Sequence, residues 1–239
     1  MPIRPGGKRC AAVTAELGRR IIAGEVEPGA ALPTEASLCG MFGVSRTTVR
    51  EAVKRLHAKG MLAVSPRSGT RVRPTAHWNQ FDSELLGWRV DCGADVGILD
   101  QLYDIRDCFE PRACELAATR GSAQDRATIA DAFARMADAR LDSQTRIDAD
   151  LEFHLAIFAA TENLFFVSLG AAIRTALHLS FSLSQRRSPV PPAELRLHGD
   201  VRDAVLAGDG GRAADCMRLL LSASRATLGL ALHDRDPPQ

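Results

Sequence analysis

The sequence predicts a mainly α-helical protein with two domains, a small N-terminal one that ends in a β-hairpin and a C-terminal all-α antiparallel helical bundle. Apolar residues recur at helical spacing over most of the chain, and Gly and Pro clusters separate the helical segments. The charge also changes sign: residues 1–75 carry 13 Lys and Arg against 5 Asp and Glu, whereas the remainder carries 17 against 24. A basic first third is typical of a module that binds nucleic acid.

The first predicted helix covers residues 11–23, where Val13, Leu17 and Ile21 share one face. Gly24 suits the left-handed residue that ends a helix. We expect residues 1–10 to form an N-terminal tail. After the Pro28-Gly29 turn, Thr34 is predicted to cap a short second helix.

The third predicted helix begins at Ser45 and presents a basic face. Arg46, Arg50 and Lys54 follow one another at four-residue spacing, with Thr47 beside them. The opposite, buried face is formed by Val49, Ala52, Val53 and Leu56. Because an arginine can bond O6 and N7 of guanine together, a contact worth about 1–3 kcal/mol against the wrong base, this face is a candidate reader of the major groove. The Ser45, Thr47 and Thr48 hydroxyls suit backbone phosphate.

Two short strands, 62–65 and 70–73, are predicted to follow as a hairpin whose tip carries Arg67, Ser68 and Gly69. Such a tip can reach a minor groove. The helices, the basic face and the hairpin together predict a winged helix-turn-helix over residues 11–74 that binds double-stranded DNA. The alternative is that these charges solvate the surface of an interaction domain.

Residues 11–74 resemble the winged helix-turn-helix of the GntR family of bacterial transcription regulators. The matching motifs are Gly24, Pro28-Gly29, Leu32-Pro33-x-Glu35, Val44-Ser45-Arg46-x-x-Val49-Arg50-Glu51-Ala52, Leu56, Gly60 and Gly69-Thr70. The resemblance implies operator DNA as the partner, and it adds Glu35 to the DNA-binding candidates already named. One departure is Ala36, where some members have an arginine that touches DNA, so operator preference is expected to differ.

Residues 75–95 are predicted to form a linker with a short docking helix that Asp82 caps. From residue 96 to 232 the chain is predicted to be helical almost throughout, with a short tail at 233–239. The expected helices are 96–120, 122–140, 143–161, 164–186, 192–207 and 210–232. Short connections place successive helices side by side, which favours an antiparallel bundle. Pro111 is expected to bend the first of these helices.

Polar residues interrupt the apolar faces of three of these helices. Asp150 and His154 lie one turn apart on one face, and Arg106 and His198 occupy inward positions on two others. Burying such groups without partners is costly, which indicates a polar cavity. Asp150, His154 and His198 form an acceptable ligand set for a divalent ion such as zinc, nickel or manganese. Alternatively, Asp150 orients His154 and His198 is an ordinary core histidine.

Residues from about 96 to 230 resemble the all-helical FCD effector domain of the FadR subfamily of GntR regulators. The matching positions are Arg106 with Glu110, Ala117-Ala118, Asp150-x-x-Phe153-His154, Glu162-Asn163, His198 with Ala204, Gly208-Asp209 and Met217. In metal-binding members a fourth ligand, a histidine, falls at Leu220, which cannot bind a metal. The resemblance therefore implies three protein ligands, with water or an effector carboxylate completing the shell.

The stretch from Trp78 to Trp88, with Met217-x-x-Leu220-Leu221, is similar to the branch of this subfamily that senses sugar acids such as galactonate or gluconate. The similarity implies a small carboxylate effector. Arg106 is the first candidate for binding its carboxylate, because a guanidinium can grip a carboxylate with two parallel bonds. Arg174 and His178 are second candidates, and each could instead pair with an acidic residue of a neighbouring helix.

We therefore expect a ligand-responsive transcription regulator, with repression the favoured direction of control, that binds a near-palindromic operator as a homodimer. One alternative is a metal-free FCD regulator that senses an apolar or acyl effector. Another is a metal-dependent hydrolase built on the three metal-ligand candidates, although no GxSxG or HExxH motif is present. The GntR branch fused to a pyridoxal-phosphate enzyme is set aside, because Lys8, Lys54 and Lys59 are the only lysines and all lie in the DNA-binding part.

No apolar stretch approaches the roughly 20 residues that span a bilayer, and the N-terminus lacks the apolar core of a signal peptide. We therefore expect a cytoplasmic protein without a membrane partner. The six cysteines show no CxxC pairing, which favours buried thiols over a zinc ribbon or disulfides.

Overall fold

The computed structural model describes residues 5–65, 69–93, 96–138, 140, 142–185 and 192–233. The chain divides into two compact units, Met1–Asp95 and Val96–Gln239. The architecture is mainly helical with one small sheet, as the sequence predicts. None of the described helices combines the length and apolar character that crossing a bilayer requires.

Three helices open the first unit: α1 (Pro5–Ile22), α2 (Glu35–Phe42) and α3 (Arg46–Ala58). The caps form as predicted, since the Thr34 hydroxyl accepts a hydrogen bond from the backbone of Ser37 and the Ser45 hydroxyl accepts one from that of Thr48. Helix α1 starts six residues before the predicted start at residue 11, so residues 5–10 belong to it instead of a tail. Proline suits the first position of a helix, and Cys10 extends the buried stripe by another turn.

The hairpin consists of β1 (Leu62–Ser65) and β2 (Gly69–Val72), paired antiparallel. Leu62 lies opposite Val72, and Ser65 lies opposite Gly69, so the second strand begins one residue before the predicted position. The predicted tip residues Arg67 and Ser68 lie outside the described residues.

The segment predicted as a linker with a docking helix packs against the core of the first unit. A 3-10 turn (Thr75–His77) leads to α4 (Ser83–Asp91), which the side chain of Asp82 caps through the backbone N–H of Leu85. Trp78, Leu85 and Trp88 are buried in one cluster with side chains of α1 and α3. A methyl group at Gly18 would lie 2.5 Å from the Trp88 ring, so α1 and α4 pack closely there.

In the described part of the second unit, six helices lie at nearly the predicted positions. They are α5 (Val96–Arg120), α6 (Ala123–Ala137), α7 (Ser143–Ala159), α8 (Leu164–Gln185), α9 (Pro192–Leu206) and α10 (Gly210–His233). Helix α5 runs without interruption through Pro111. Helix α10 packs against α5 and α9, and α7 packs against α6, α8 and α5. The helices that carry the polar residues named above therefore meet in the interior of this bundle.

Candidate functional site

The predicted DNA-reading residues of the first unit lie on one exposed face of α3. Arg46, Thr47, Arg50 and Lys54 are all exposed, and Ser45 is exposed at the N-terminal cap. Val49, Ala52 and Leu56 are buried on the opposite face. Gly69 is exposed at the start of β2. The basic face of α3 is thus available to a large partner.

Arg50 is held by an acidic residue of the neighbouring helix. Its Nε lies 3.0 Å from both carboxylate oxygens of Glu35, the first residue of α2. Both side chains remain largely exposed, at 68% for Arg50 and 45% for Glu35. The pairing joins residues that are 15 positions apart, and helical periodicity gives no signal for it.

The three predicted metal ligands come together in the interior of the second unit. Helix α7 supplies Asp150 and His154 one turn apart, and α9 supplies His198. Oδ1 of Asp150 lies 3.4 Å from Nε2 of His154 and 3.3 Å from Nε2 of His198. The ligand atoms of all three residues lie within 4.8 Å of one another, and each residue is buried. The sequence prediction of this grouping therefore agrees with the geometry.

Each imidazole has a polar partner at its other nitrogen. Nδ1 of His154 lies 2.8 Å from Oε2 of Glu110 on α5. Nδ1 of His198 lies 2.9 Å from the backbone oxygen of Glu194, one turn earlier on α9. Because a carbonyl oxygen only accepts, Nδ1 of His198 is the donor, which leaves the lone pair on Nε2 for a ligand. Metal-binding histidines typically have such outer hydrogen bonds.

Glu110 also binds Arg106, one turn earlier on α5, through a contact of 2.6 Å between Oε1 and Nε. Arg106 is 1% exposed and Glu110 is 0% exposed, and the guanidinium lies over the Tyr103 ring at 4.8 Å. A charged pair this deeply buried is stable only when each member is matched. The contact of Glu110 with His154 was not predicted from the sequence, where Glu110 appears only as part of a motif beside Arg106.

These charges shift one another's ionisation. Burial lowers the pKa of His154, but Glu110 and Asp150 raise it more strongly, to about 9. Burial raises the pKa of Glu110, yet Arg106 and His154 bring it down to about 2. The pKa of Asp150 also falls below its usual value, because His198 and His154 outweigh the effect of burial. Both carboxylates are therefore ionised at neutral pH, as metal binding requires.

The separations within the trio fit ligands around a common ion. Distances of 3.3 and 3.4 Å are longer than an ordinary N–H···O hydrogen bond. Two ligands about 2.1 Å from a tetrahedral zinc ion lie about 3.4 Å apart. Oδ1 of Asp150 is buried and accepts no hydrogen bond from the described residues. The residues present therefore fit a divalent metal.

Leu220 lies beside this site, on the evidence of helix pairing. The Ser224 hydroxyl of α10 binds the Glu194 carboxylate of α9 at 2.5 Å. Helices α9 and α10 follow one another across a short turn and run antiparallel, so one turn back along α10 from Ser224 corresponds to one turn forward along α9 from Glu194. This places Leu220 level with His198. Leu220 is 1% exposed, so the side chain at this level of α10 is apolar and buried.

Arg174 and His178 are not brought to the trio. Arg174 is exposed, and Nε2 of His178 lies 3.1 Å from Nε2 of Gln144 and 3.5 Å from Oδ1 of Asp148. Asp148 is exposed, two residues before Asp150 and hence on a different face of α7. The alternative that His178 pairs with an acidic residue of a neighbouring helix agrees with this position. Both candidates lie on the outer side of α8, because Ile173 and Leu177 occupy its inward stripe.

Comparison with known families gives two matches along the chain. Residues 10–72 match the family described as "Bacterial regulatory proteins, gntR family". Residues 101–223 match the "FCD domain". The first match covers the winged helix-turn-helix. The second covers Arg106, Glu110 and the trio of Asp150, His154 and His198.

Two relatives from Escherichia coli strain K12 match nearly the whole chain. The "Uncharacterized HTH-type transcriptional regulator YieP" is 38% identical over 208 residues, covering 86% of this chain and 89% of the relative. The "Galactonate operon transcriptional repressor" is 28% identical over 213 residues, covering 89% and 93%. Both are described as transcription regulators, and neither is described as an enzyme.

A solved structure described as Lar, which controls expression of the Listeria monocytogenes agr system, shares the fold. It aligns with a TM-score of 0.65 at 19% identity and covers 92% of this chain and 96% of its own. At this identity the likeness concerns the fold alone.

Proposed function

Because this chain belongs to the GntR family of bacterial transcription regulators and carries an FCD domain, we propose that a small carboxylate effector of the sugar-acid class binds in its C-terminal unit and controls operator binding by its N-terminal unit. The chain is a DNA-binding regulator, and its relatives are regulators, not enzymes. The hydrolase alternative is therefore dropped. The proposal concerns the effector, the metal and the way the two units are used.

The buried trio is the observation that carries the proposal. Asp150, His154 and His198 would hold a divalent ion, with zinc, nickel or manganese as the candidates. When bound, the ion would supply a Lewis-acidic centre able to accept an anionic oxygen. Glu110 and the backbone of Glu194 orient the two imidazoles toward that position, so the ligands are arranged before anything binds.

The charge balance of this region favours an anionic effector. In the metal-free protein at neutral pH, Arg106 and protonated His154 balance the charges of Glu110 and Asp150. A divalent ion that displaced the His154 proton would leave one excess positive charge. Since buried charge is costly unless matched, one carboxylate from the effector would restore neutrality. An uncharged acyl chain would leave this charge unbalanced, which argues against an apolar effector.

The class of acid is proposed from the relatives. One of them is named as a repressor of a galactonate operon, and it shares 28% of the aligned residues over most of both chains. Leu220 supplies no fourth protein ligand, so a hydroxy acid could bind through its carboxylate and a neighbouring hydroxyl. Arg106 is still proposed as the second contact for the effector carboxylate. Its Nε stays bonded to Glu110, so its terminal nitrogens would make that contact.

On the DNA side, Arg46 and Arg50 are proposed to contact bases in the major groove, and Lys54 to contact the backbone. The hydroxyls of Ser45, Thr47 and Thr48 are proposed to bind phosphate. Arg67, Ser68 and Gly69 are proposed to reach the adjacent minor groove. A homodimer acting in the cytoplasm would place two such faces on the halves of a near-palindromic operator.

Effector control requires that the DNA-competent and incompetent states differ in effector affinity. We propose that the protein represses transcription and that the acid releases it from the operator, because its galactonate-operon relative is described as a repressor.

A thermal-shift screen of hexonates tests the proposal, run on the protein loaded with zinc, nickel or manganese and again with chelator. We expect a hexonate to raise the unfolding temperature of metal-loaded protein and to lose this effect with chelator. Stabilisation that is equal with and without chelator would contradict the metal-assisted site. Stabilisation by long-chain fatty acids alone would contradict the acid class.

A further inference from the structure

Glu35 is an acidic residue beside the basic face of α3 that is proposed to bind DNA. It begins α2, and its carboxylate lies against Arg50 on the exposed side of α3. A carboxylate near the phosphate backbone weakens binding to every sequence, because the duplex is uniformly negative. An exposed ion pair also adds little to folding stability. A carboxylate in the first turn of α2 adds about 0.3–1 kcal/mol through the helix dipole, but many other acidic or polar side chains away from Arg50 could do the same.

The geometry of the contact between Glu35 and Arg50 indicates a role in DNA recognition. Both Glu35 oxygens lie 3.0 Å from Nε of Arg50, which fixes one side of the guanidinium. Within the described residues, Arg50 makes no other hydrogen bond or ion pair. The terminal nitrogens Nη1 and Nη2 form the edge that can bond guanine O6 and N7 together. A long, exposed arginine otherwise loses considerable rotamer freedom on binding.

We propose that Glu35 is a positioning residue for sequence recognition: it holds the Nε side of Arg50 so that Nη1 and Nη2 are presented to a guanine as a preformed fork. This inference rests on the assignment of Arg50 to the groove under the proposed function. Glu35 would therefore lower the affinity for DNA of any sequence and raise the preference for the operator sequence. Removing the carboxylate frees the guanidinium and also removes a charge that repels phosphate.

The test compares Glu35→Ala with the wild-type full-length protein. A duplex is first recovered by selecting a randomised library on the wild-type protein, and its scrambled counterpart serves as the non-specific probe. The ratio of the two dissociation constants measures discrimination. Glu51→Ala is the matched control. It also removes one exposed carboxylate close to Arg50, but from the next position along α3.

We expect Glu35→Ala to lower the ratio about ten-fold, which is within the range for one bidentate arginine contact. Affinity for the scrambled duplex should stay the same or become tighter, whereas a merely misfolded variant would weaken on both duplexes. Glu51→Ala should keep the ratio within about two-fold of wild type, as expected for a charge that orients nothing. Repeated selection should show that Glu35→Ala and Arg50→Ala lose preference at the same base position.

A double-mutant cycle separates this inference from the function on which it rests. In the Arg50→Ala background, Glu35→Ala should have no further effect on the ratio. A further drop there would show that Glu35 acts without Arg50 and would overturn the proposal, as would an unchanged ratio in the single variant. Full discrimination by Arg50→Ala alone would instead contradict the assignment of Arg50 to the groove.

Discussion

Nδ1 of His154 forms an ion-pair contact with Oε2 of Glu110, 2.8 Å away in the interior of the bundle. Glu110 in turn binds Arg106, so the orientation of one metal-ligand candidate depends on an ion pair of another helix. The predictions about the C-terminal unit follow from this relationship and from the position of Leu220.

Replacing Glu110 by Gln should weaken metal binding about 10- to 100-fold, the usual cost of losing an outer partner of a histidine ligand. It should also destabilise the metal-free C-terminal unit by about 3 kcal/mol, because Arg106 keeps its charge in a buried position. Metal titration calorimetry and chemical unfolding measure the two effects. Glu115→Gln on the same helix is the control, since Glu115 pairs with Arg112 at the surface and should change neither.

Replacing His198 by Ala should abolish tight binding of zinc or nickel, because two protein ligands remain where three are needed. His178→Ala provides the matched control, since this histidine lies half-exposed beside Asp148. Equal losses in the two variants would show that the trio is not the metal site.

Replacing Leu220 by His should raise metal affinity at least about ten-fold, because a fourth ligand would complete a tetrahedral set. The same variant should respond less to a hexonate, since the added imidazole takes the position that the acid is proposed to occupy. Leu219→His is the control on the exposed side of α10, where the residue is 61% exposed. Unchanged metal affinity in Leu220→His would contradict the helix register that places it level with His198.

In the presence of chelator, the stability of the C-terminal unit should fall as the pH rises from about 6.5 to about 9. The pKa of His154 is raised in the folded state, so its contribution is complete below the unfolded value and is lost as the folded group deprotonates. Metal-loaded protein should show the opposite trend over this range, because the ion competes with protons for the imidazole. Thermal unfolding across the pH range distinguishes the two.

Trp88→Ala should destabilise the DNA-binding unit by about 3–5 kcal/mol, the usual cost of removing a buried aromatic side chain. The side chain fills the space above Gly18 and lies 5.5 Å from Nζ of Lys59, which also binds Asp82. A fragment ending at residue 74 should accordingly fail to fold, whereas one ending at residue 93 should fold. Circular dichroism of both fragments measures this, and a cooperative transition in the shorter one would contradict the described core.

Local patterns were sufficient to predict most of the helices. Periodic apolar residues and the turn signals at Asn163 and Gly208 placed the helices of the second unit, and the side chains of Thr34 and Ser45 marked the starts of α2 and α3. The start of α1 was missed because Gly6 and Gly7 are poor helix formers. The docking helix that Asp82 caps was predicted, but how much of the core residues 75–91 complete was not, because a buried Trp has the same local signature in a linker as in a core.

The site was predictable only where its members share a helix or a family motif. Asp150 and His154 are one turn apart on α7, so helical spacing alone brings them together. The contact between Glu110 and His154 depends on how α5 packs against α7, which the sequence does not specify. His198 is bonded to a backbone oxygen, and no side-chain pattern in the sequence indicates such a bond. The Glu35 to Arg50 contact joins two helices whose relative placement the sequence does not specify.

Operator binding under effector control is the central claim, and fluorescence anisotropy of a labelled duplex tests it most directly. The duplex is the one selected on the wild-type protein, titrated with metal-loaded protein with and without the hexonate that gives the largest thermal shift. We predict that the acid lowers the affinity of wild-type protein and of His178→Ala, and that Asp150→Ala binds the duplex but ignores the acid. An unaltered response in Asp150→Ala would contradict the account.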